Sequence, residues 1–188
     1  AQSPDKLIER GEYDKAIKVC VDKLSKGKGR TDDLYNSLGR AYQIANADDQ
    51  SRITELKAGG EPDIWFEIFL VYNRMQARYR VIEPISPLLE RDRVNIPLLD
   101  YTTDLEAARQ KAAAYLYAHS VSLLETGQKA DAGLAFEELL RLSKLYKGFK
   151  DTELLMRKAL GAGATLARLE VNNRSGASLP PDFISEME

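Results

Sequence analysis

His119 and Ser120 are adjacent in the stretch AAAYLYAHSVSLL, and their types come nearest to a nucleophile with its base. Hydrolysis by a serine needs a base within hydrogen-bond reach and an acid that orients this base. Adjacent residues on a helix do not face each other, and the helical neighbours of this histidine are Tyr115 and Ser122. Because the sequence marks no orienting acid, we predict a packing role for His119 and no catalytic residue.

The single cysteine and the single histidine of the chain specify no metal site and no disulfide. Together they supply too few ligands for the usual zinc sites, which use three or four. Cys20 lies on the apolar stripe of a predicted helix, which indicates a buried and unreactive thiol. The acidic pair Asp48 and Asp49 lacks the alternate spacing of a calcium loop, and residues 27–30, GKGR, lack the phosphate-loop pattern. We therefore predict no metal and no cofactor.

The composition is that of an ordinary globular chain without overall electrostatic bias. Its 188 residues are 44% hydrophobic and 30% charged, with a formal net charge of −2 at pH 7. A chain of this length can form one domain with a sizeable core. The charge gives no attraction to nucleic acid or to an anionic membrane, and the chain has no run of about 18 apolar residues that would predict a membrane span.

The chain begins AQSPDK, with a small residue and no initiating methionine. Such a start is typical of a chain from which a signal segment has been removed. We therefore predict a periplasmic or cell-envelope, exported protein in preference to a cytoplasmic one. A lipid anchor upstream of Ala1 stays open.

Helical periodicity dominates the sequence, and no alternation typical of strands is bounded by turns. Ser3 and Pro4 predict the start of the first helix. Thr103 and Glu106 have the spacing of a capping box, which predicts the start of a later one. The predicted helices cover about 4–10, 12–27, 31–45, 50–58, 63–83, 103–125, 130–146 and 151–171.

Two of the predicted gaps between these helices contain a turn or a long loop. The letters NADD at 46–49 predict a turn. Residues 84–100 contain three prolines, so we predict an irregular loop that lies against the body of the protein. Long ordered loops are often functional, which makes this loop a place to look for a site. The chain is thus predicted to be one helical domain, 1–175, with a C-terminal tail, 176–188.

Two further patterns leave alternatives open. Gly161 and Gly163 weaken the last predicted helix, which favours close packing against another helix over a contact between two copies of the chain. Arg74, Arg78 and Arg80 stand near tyrosines in the helix 63–83. This pattern favours a solvated helix edge over a basic, aromatic surface for an acidic partner.

The segments GEYDKAIKVCVDKL and GQKADAGLAFEELL share one pattern. Each begins with a glycine that ends a helix, Gly11 or Gly127, and has an alanine five residues later, Ala16 or Ala132. This pattern predicts a helical hairpin with a tight turn. The small residue is expected where the two helices cross and their backbones approach closely.

The motif Tyr35-x-x-Leu38-Gly39-x-x-Tyr42 resembles the first-helix signature of tetratricopeptide repeats. The two hairpin segments resemble the second half of such a repeat, so the resemblance covers about half of the chain. It implies an all-α fold of antiparallel helical hairpins, stacked as a degenerate, right-handed tetratricopeptide-like array. Gly39 is then expected to touch a neighbouring helix. The chain is also similar to small helical repeat proteins exported by gut Bacteroidetes, many of which are lipoproteins.

The resemblance implies a non-catalytic scaffold that binds a protein or a peptide on its concave face. Mixed polar and apolar surface of this kind suits an extended peptide. The residues that this face implies for partner binding are Asn36, Arg40, Gln43, Tyr117 and Val121. Two alternatives stay open: a structural subunit of a cell-envelope assembly, and a small-ligand binder with a pocket by the helix of Trp65.

Overall fold

The computed structural model describes residues 3–29 and 31–163, and every regular element in these residues is a helix. The predicted all-α class is therefore confirmed. A short 3-10 helix, Glu83–Ile85, joins the fourth α-helix to the fifth. The α-helices in chain order are α1 (Pro4–Glu9), α2 (Tyr13–Ser25), α3 (Thr31–Gly59), α4 (Ile64–Ile82), α5 (Ser86–Arg91), α6 (Thr102–Glu125), α7 (Lys129–Leu145) and α8 (Thr152–Gly163).

The main helices pack on one another in chain order. α1 contacts α2, α2 contacts α3, α3 contacts α4, α4 contacts α6, α6 contacts α7, and α7 contacts α8. Second neighbours also touch, since α1 contacts α3, α2 contacts α4, and α6 contacts α8. None of the helices in the described residues is both long and apolar enough to span a bilayer. The end of the last predicted helix and the predicted tail lie outside the described residues.

α4 lies at the centre of this packing. Ile82 at its end joins the core formed with α1, α2 and α3. Ile68 and Met75 are fully buried in a second group that includes residues of α3 and α6. Trp65 and Phe69 pack both on this second group and on the core of α6, α7 and α8. One helix therefore connects the two halves of the molecule.

The predicted turn at 46–49 is wrong, because α3 continues through it as one helix of 29 residues. Asn46 and Asp49 are buried within this helix. Asn and Asp favour turns when their side chains bond to their own backbone. Here the side chains bond to arginines of α4 instead, so a tertiary contact overrides the local preference.

These arginines form a network, buried at Arg78, Asn46 and Asp49, that ties α4 to α3 and α2. Arg78 donates from Nη1 to Asn46 Oδ1 at 3.0 Å and to Asp49, and from Nε to Asp14 Oδ1 at 2.5 Å. Arg74 Nε lies 3.1 Å and 3.2 Å from the two carboxylate oxygens of Asp49. The predicted solvated edge is therefore wrong for Arg78, which is buried with its guanidinium bonded inside the fold.

The predicted loop 84–100 is irregular only in its second half. Pro84 and Pro87 stand in the first turns of the 3-10 helix and of α5, where a missing N–H costs nothing. From residue 92 to residue 101 the chain has no helix or strand. We call these residues the 92–101 segment.

The 92–101 segment ends in a cap for α6, although not the one that the sequence predicts. Tyr101 precedes the helix and makes no side-chain cap. Asp100 accepts hydrogen bonds at its Oδ1 from the backbone N of Thr102 at 2.9 Å and from the hydroxyl of Thr102 at 2.6 Å. These bonds lower the pKa of Asp100. The predicted box places the N-cap at Thr103, two residues after the observed N-cap, Tyr101.

Ala16 and Ala132, the small residues predicted at hairpin crossings, are both buried. Gly163 of α8 packs closely on α7, because a β-carbon there would stand 3.8 Å from the β-carbon of Ala132. A β-carbon on Gly161 would have no neighbouring atom within 4 Å, so the prediction of close packing is wrong for this glycine. The prediction for Gly39 is wrong too, since its contact is Ile96 of the 92–101 segment and not a helix.

Candidate partner-binding groove

Three of the predicted partner-binding residues, Asn36, Arg40 and Gln43, line one open groove along α3. The groove has a volume of about 600 Å³. All three side chains are exposed. The opposite wall belongs to the 92–101 segment and consists of Val94, Asn95 and Ile96. We call this feature the α3 groove.

The segment that forms this wall is fastened to α3 by two tyrosines that stand seven residues apart. The hydroxyl of Tyr35 donates to Asp92 Oδ2 at 2.6 Å. The backbone N of Leu99 donates to the hydroxyl oxygen of Tyr42 at 3.1 Å. Since seven residues make nearly two helical turns, both tyrosines lie on the same side of α3. The wall is therefore held at two points along one helix.

The end of the segment is fastened to α4. The backbone N of Tyr101 donates to Gln76 Oε1 at 2.6 Å, and Gln76 Nε2 donates to the hydroxyl of Thr102 at 3.0 Å. Gln76 is buried, so both polar ends of its amide are satisfied inside the fold. The segment thus spans the gap between α3 and the start of α6 in a defined position.

At neutral pH, the protonation states of Tyr35 and Asp92 favour the hydrogen bond between their side chains. Burial raises the pKa of Tyr35 to about 12, and the hydrogen bond to Asp92 contributes in the same direction. Hydrogen bonds from Arg91 and then from Tyr35 lower the pKa of Asp92. The phenol therefore keeps its proton as donor while the carboxylate is ionised as acceptor, which is the stronger form of such a hydrogen bond.

The groove offers hydrogen-bonding groups of both kinds. Asn36, Gln43 and Asn95 carry amides, each with donors and an acceptor. Arg40 adds a cation whose nearest carboxylate oxygen, on Asp5, is 3.8 Å away. The side chains of this ion pair are 55% exposed on both partners, so the contact is weak and leaves the guanidinium free to bind another group.

The other two predicted residues lie elsewhere, on α6. The hydroxyl of Tyr117 donates to Asp151 Oδ1 at 2.7 Å, and its ring meets Phe149 edge-on at 5.9 Å between centroids. Val121 is half-buried one turn further along α6. α3 packs on α4, which in turn packs on α6. The structure therefore does not bring Tyr117 and Val121 to the α3 groove.

His119 and Ser120 converge on one acid that the sequence does not mark. His119 Nδ1 lies 2.8 Å from Glu138 Oε1, and the hydroxyl of Ser120 donates to Glu138 Oε2 at 3.3 Å. The ring of Tyr115 stacks on His119 with 5.4 Å between centroids. Ser120 is fully buried and bonds the acid instead of the histidine, so it is not arranged as a nucleophile with its base.

Cys20 is a buried thiol, as predicted, and burial raises its pKa to about 11. A thiol with such a pKa is almost entirely protonated at neutral pH and is a poor nucleophile. Among residues 3–29 and 31–163, no group of three or more His, Cys, Asp or Glu side chains is placed to hold a metal ion.

Compared with protein-family models, with curated proteins and with solved structures, the chain gives no match. The wall formed by Val94, Asn95 and Ile96 is the part of the site that no motif marks. The sequence feature that points to this wall is the predicted loop at 84–100, whose apolar residues predict that the loop packs against the protein body.

Proposed function

We propose that this protein is a non-catalytic scaffold for protein–protein interaction, and that a segment of the partner lies in the α3 groove. One observation carries the proposal. Asn36, Arg40 and Gln43, chosen from the sequence as residues of a binding face, line a single groove of about 600 Å³ with a fastened second wall. A wall held in place before binding lowers the ordering cost of association.

The spacing of the three side chains supports a peptide as the occupant. Along the axis of α3, Asn36 lies about 6 Å from Arg40, and Arg40 lies about 4.5 Å from Gln43. An extended peptide advances about 3.3 Å per residue. Two residues of such a peptide match the first interval. The three side chains together therefore face a stretch of about three residues, whose carbonyl and N–H groups suit amides and a guanidinium.

The order of helix packing supports the finer proposal of a degenerate tetratricopeptide-like array. In a stacked array each hairpin contacts only its neighbours, and the concave side becomes an extended binding surface. Contacts between first and second neighbours along the chain are consistent with that arrangement. The buried side chain of Ile96 and the exposed amides beside it give this surface both apolar and polar character.

A peptide library displayed on phage tests the proposal. Peptides selected on the wild-type protein are measured against the double variant Asn36→Ala/Gln43→Ala, which removes two amides from the groove without changing the charge. We expect this variant to bind at least about tenfold more weakly, because each lost hydrogen bond contributes about 1 kcal/mol.

The matched control is Asn73→Ala/Gln110→Ala. It removes the same two residue types from exposed positions on α4 and α6. We expect it to bind the selected peptides as the wild type does. Selection of no peptide, or equal binding by the groove variant and the wild type, would refute the proposal.

A further inference from the structure

A second hollow, separate from the α3 groove, lies between α2 and α4. Its volume is about 170 Å³. Ile17, Ala77 and Val81 give it an apolar surface, and the charged groups that line it are Asp14, Lys18, Arg74 and Arg78. An apolar cavity of about 150 Å³ is large enough to hold a benzene ring. The hollow therefore has room for one compact apolar group.

Three of the four charged side chains that line the hollow are cations. Arg78 is only 6% exposed, and Asp14 and Asp49 both accept hydrogen bonds from it. Asp49 also accepts from Arg74. The two arginines are thus balanced by two carboxylates, and both carboxylates are already bonded.

Lys18 adds a positive charge that this balance does not cancel. It forms no ion pair with a residue that the structure describes, and its side chain is exposed beside the hollow. Asp49 does not line the hollow, but the formal charge of the four lining groups and Asp49 together is +1. Exposed cationic side chains beside an apolar surface attract an anion with an apolar body, since the cations bind its charge and the apolar surface covers the rest of it.

We propose that this hollow binds a small organic carboxylate, with its apolar group against Ile17, Ala77 and Val81 and its carboxylate toward Lys18 and Arg74. The site is independent of the groove, because none of its lining residues belongs to the α3 groove. A single carboxylate matches the single uncompensated charge. A ligand with a larger apolar group than a six-membered ring exceeds the space.

Sodium benzoate is the probe that tests this site, and benzamide is its neutral counterpart of the same shape. Both are titrated into the ¹⁵N-labelled protein while the amide resonances are followed by NMR. For benzoate we expect saturable shifts confined to residues 14–18 and 74–81, with a Kd of about 1 mM, which is ordinary for a ligand of this size. Benzamide is expected to bind at least about threefold more weakly, because it lacks the charge.

Two substitutions on the same face of α2 separate the site from general charge effects. Lys18→Gln removes the cation beside the hollow, and Lys15→Gln removes an exposed cation whose partner is Glu12. We expect the first to weaken benzoate binding by about threefold to fivefold and the second to leave it unchanged. Equal weakening by both, equal binding of benzamide, or shifts outside these residues would overturn the proposal.

A third variant, Ala77→Leu, tests the space instead of the charge. Its larger side chain enters the hollow without altering any ionisable group. Because residue 77 is exposed, the protein is expected to fold normally. Benzoate binding is expected to be lost, and benzoate binding as tight as that of the wild type would show that the hollow is not the binding site.

Discussion

Ile96 packs against α3 at Gly39, where a β-carbon on residue 39 would stand 3.9 Å from Ile96 Cγ1. That distance is ordinary van der Waals contact, so the position has room for a methyl group. The glycine is therefore not required by sterics. It lines the α3 groove beside the wall and lowers the stability of the helix.

Replacing Gly39 with alanine is expected to stabilise the protein by about 1 kcal/mol, because alanine has the higher helix propensity. For a chain of this size the melting temperature rises by about 2 to 4 °C. Thermal unfolding followed by circular dichroism measures the change. Gly133→Ala, at an exposed position inside α7, is the control and should give a similar gain. A loss of stability in Gly39→Ala alone would contradict the described contact with Ile96.

Replacing Tyr42 with phenylalanine is expected to loosen the 92–101 segment without unfolding the protein. The substitution keeps the buried ring but removes the oxygen that accepts from the backbone N of Leu99. Loss of about 1.4 kcal/mol at this bond corresponds to about tenfold faster amide exchange. Hydrogen exchange at Leu99 is the measurement. Tyr79→Phe is the control, because Tyr79 makes no side-chain hydrogen bond within the described part of the chain. Unchanged exchange at Leu99 in Tyr42→Phe would contradict the hydrogen bond from Leu99 to the hydroxyl of Tyr42.

The contact between Tyr35 and Asp92 is expected to make stability depend on alkaline pH. The pKa of Tyr35 is about 12 in the folded protein and about 10 in the unfolded chain. A raised folded-state pKa means that its contribution is fully present below pH 10 and is lost as the pH rises toward 12. The phenolate that forms then faces the carboxylate of Asp92.

Urea unfolding of the wild type and of Tyr35→Phe measures this dependence. At pH 8 we expect the wild type to be more stable by about 1 to 2 kcal/mol, and the difference to shrink steadily above pH 10. Because other tyrosines titrate in both proteins, only the difference between the two is informative. A stability difference that stays constant from pH 8 to pH 12 would show that the fold does not raise the pKa of Tyr35.

Replacing Arg78 with methionine is expected to destabilise the protein by about 3 kcal/mol. The long side chain is kept, but Asp49 loses one of its two guanidinium partners while it stays buried. Chemical denaturation gives the free energy of unfolding. Arg80→Met, at an exposed position on the same helix, is the matched control and should change stability by less than about 0.5 kcal/mol. Equal effects of the two substitutions would mean that the network is not buried.

Cys20 is expected to resist alkylation in the folded protein. Its pKa of about 11 lies about two units above that of a free thiol, which lowers the thiolate fraction about a hundredfold at pH 8. Iodoacetamide labelling at pH 8, followed by mass spectrometry, compares the native protein with the protein in urea. We expect native labelling to be at least about a hundredfold slower. Comparable rates would show that the thiol is accessible.

The helical class and most helix ends follow from local sequence, because periodicity, prolines and glycines act over a few residues. Gly60 and Gly127, for example, adopt the left-handed backbone conformation where the sequence predicts breaks. The continuous α3 could not be predicted in this way. The two polar side chains that suggest a turn, Asn46 and Asp49, are satisfied by arginines that lie 25 to 32 residues further along the chain.

Only the α3 side of the candidate groove can be predicted from the sequence. Asn36, Arg40 and Gln43 are spaced to share one helical face, and this spacing can be read directly. The opposite wall depends on long-range bonds, such as the one from Tyr35 to Asp92, which join residues 57 positions apart. Likewise, Glu138 beside His119 comes from the next helix, and no local pattern connects the two.

Because α3 is one unbroken helix, the angle around its axis between the groove residue Gln43 and the buried residues Asn46 and Asp49 is fixed. Gln43 and Asn46 are three positions apart, so their side chains point about 60° apart around the axis. Inserting one residue between them would turn everything downstream by about 100°. Asp49 would then swing away from the guanidinium groups while Gln43 kept its place, so this helix tolerates substitution at its midpoint far better than a change of length.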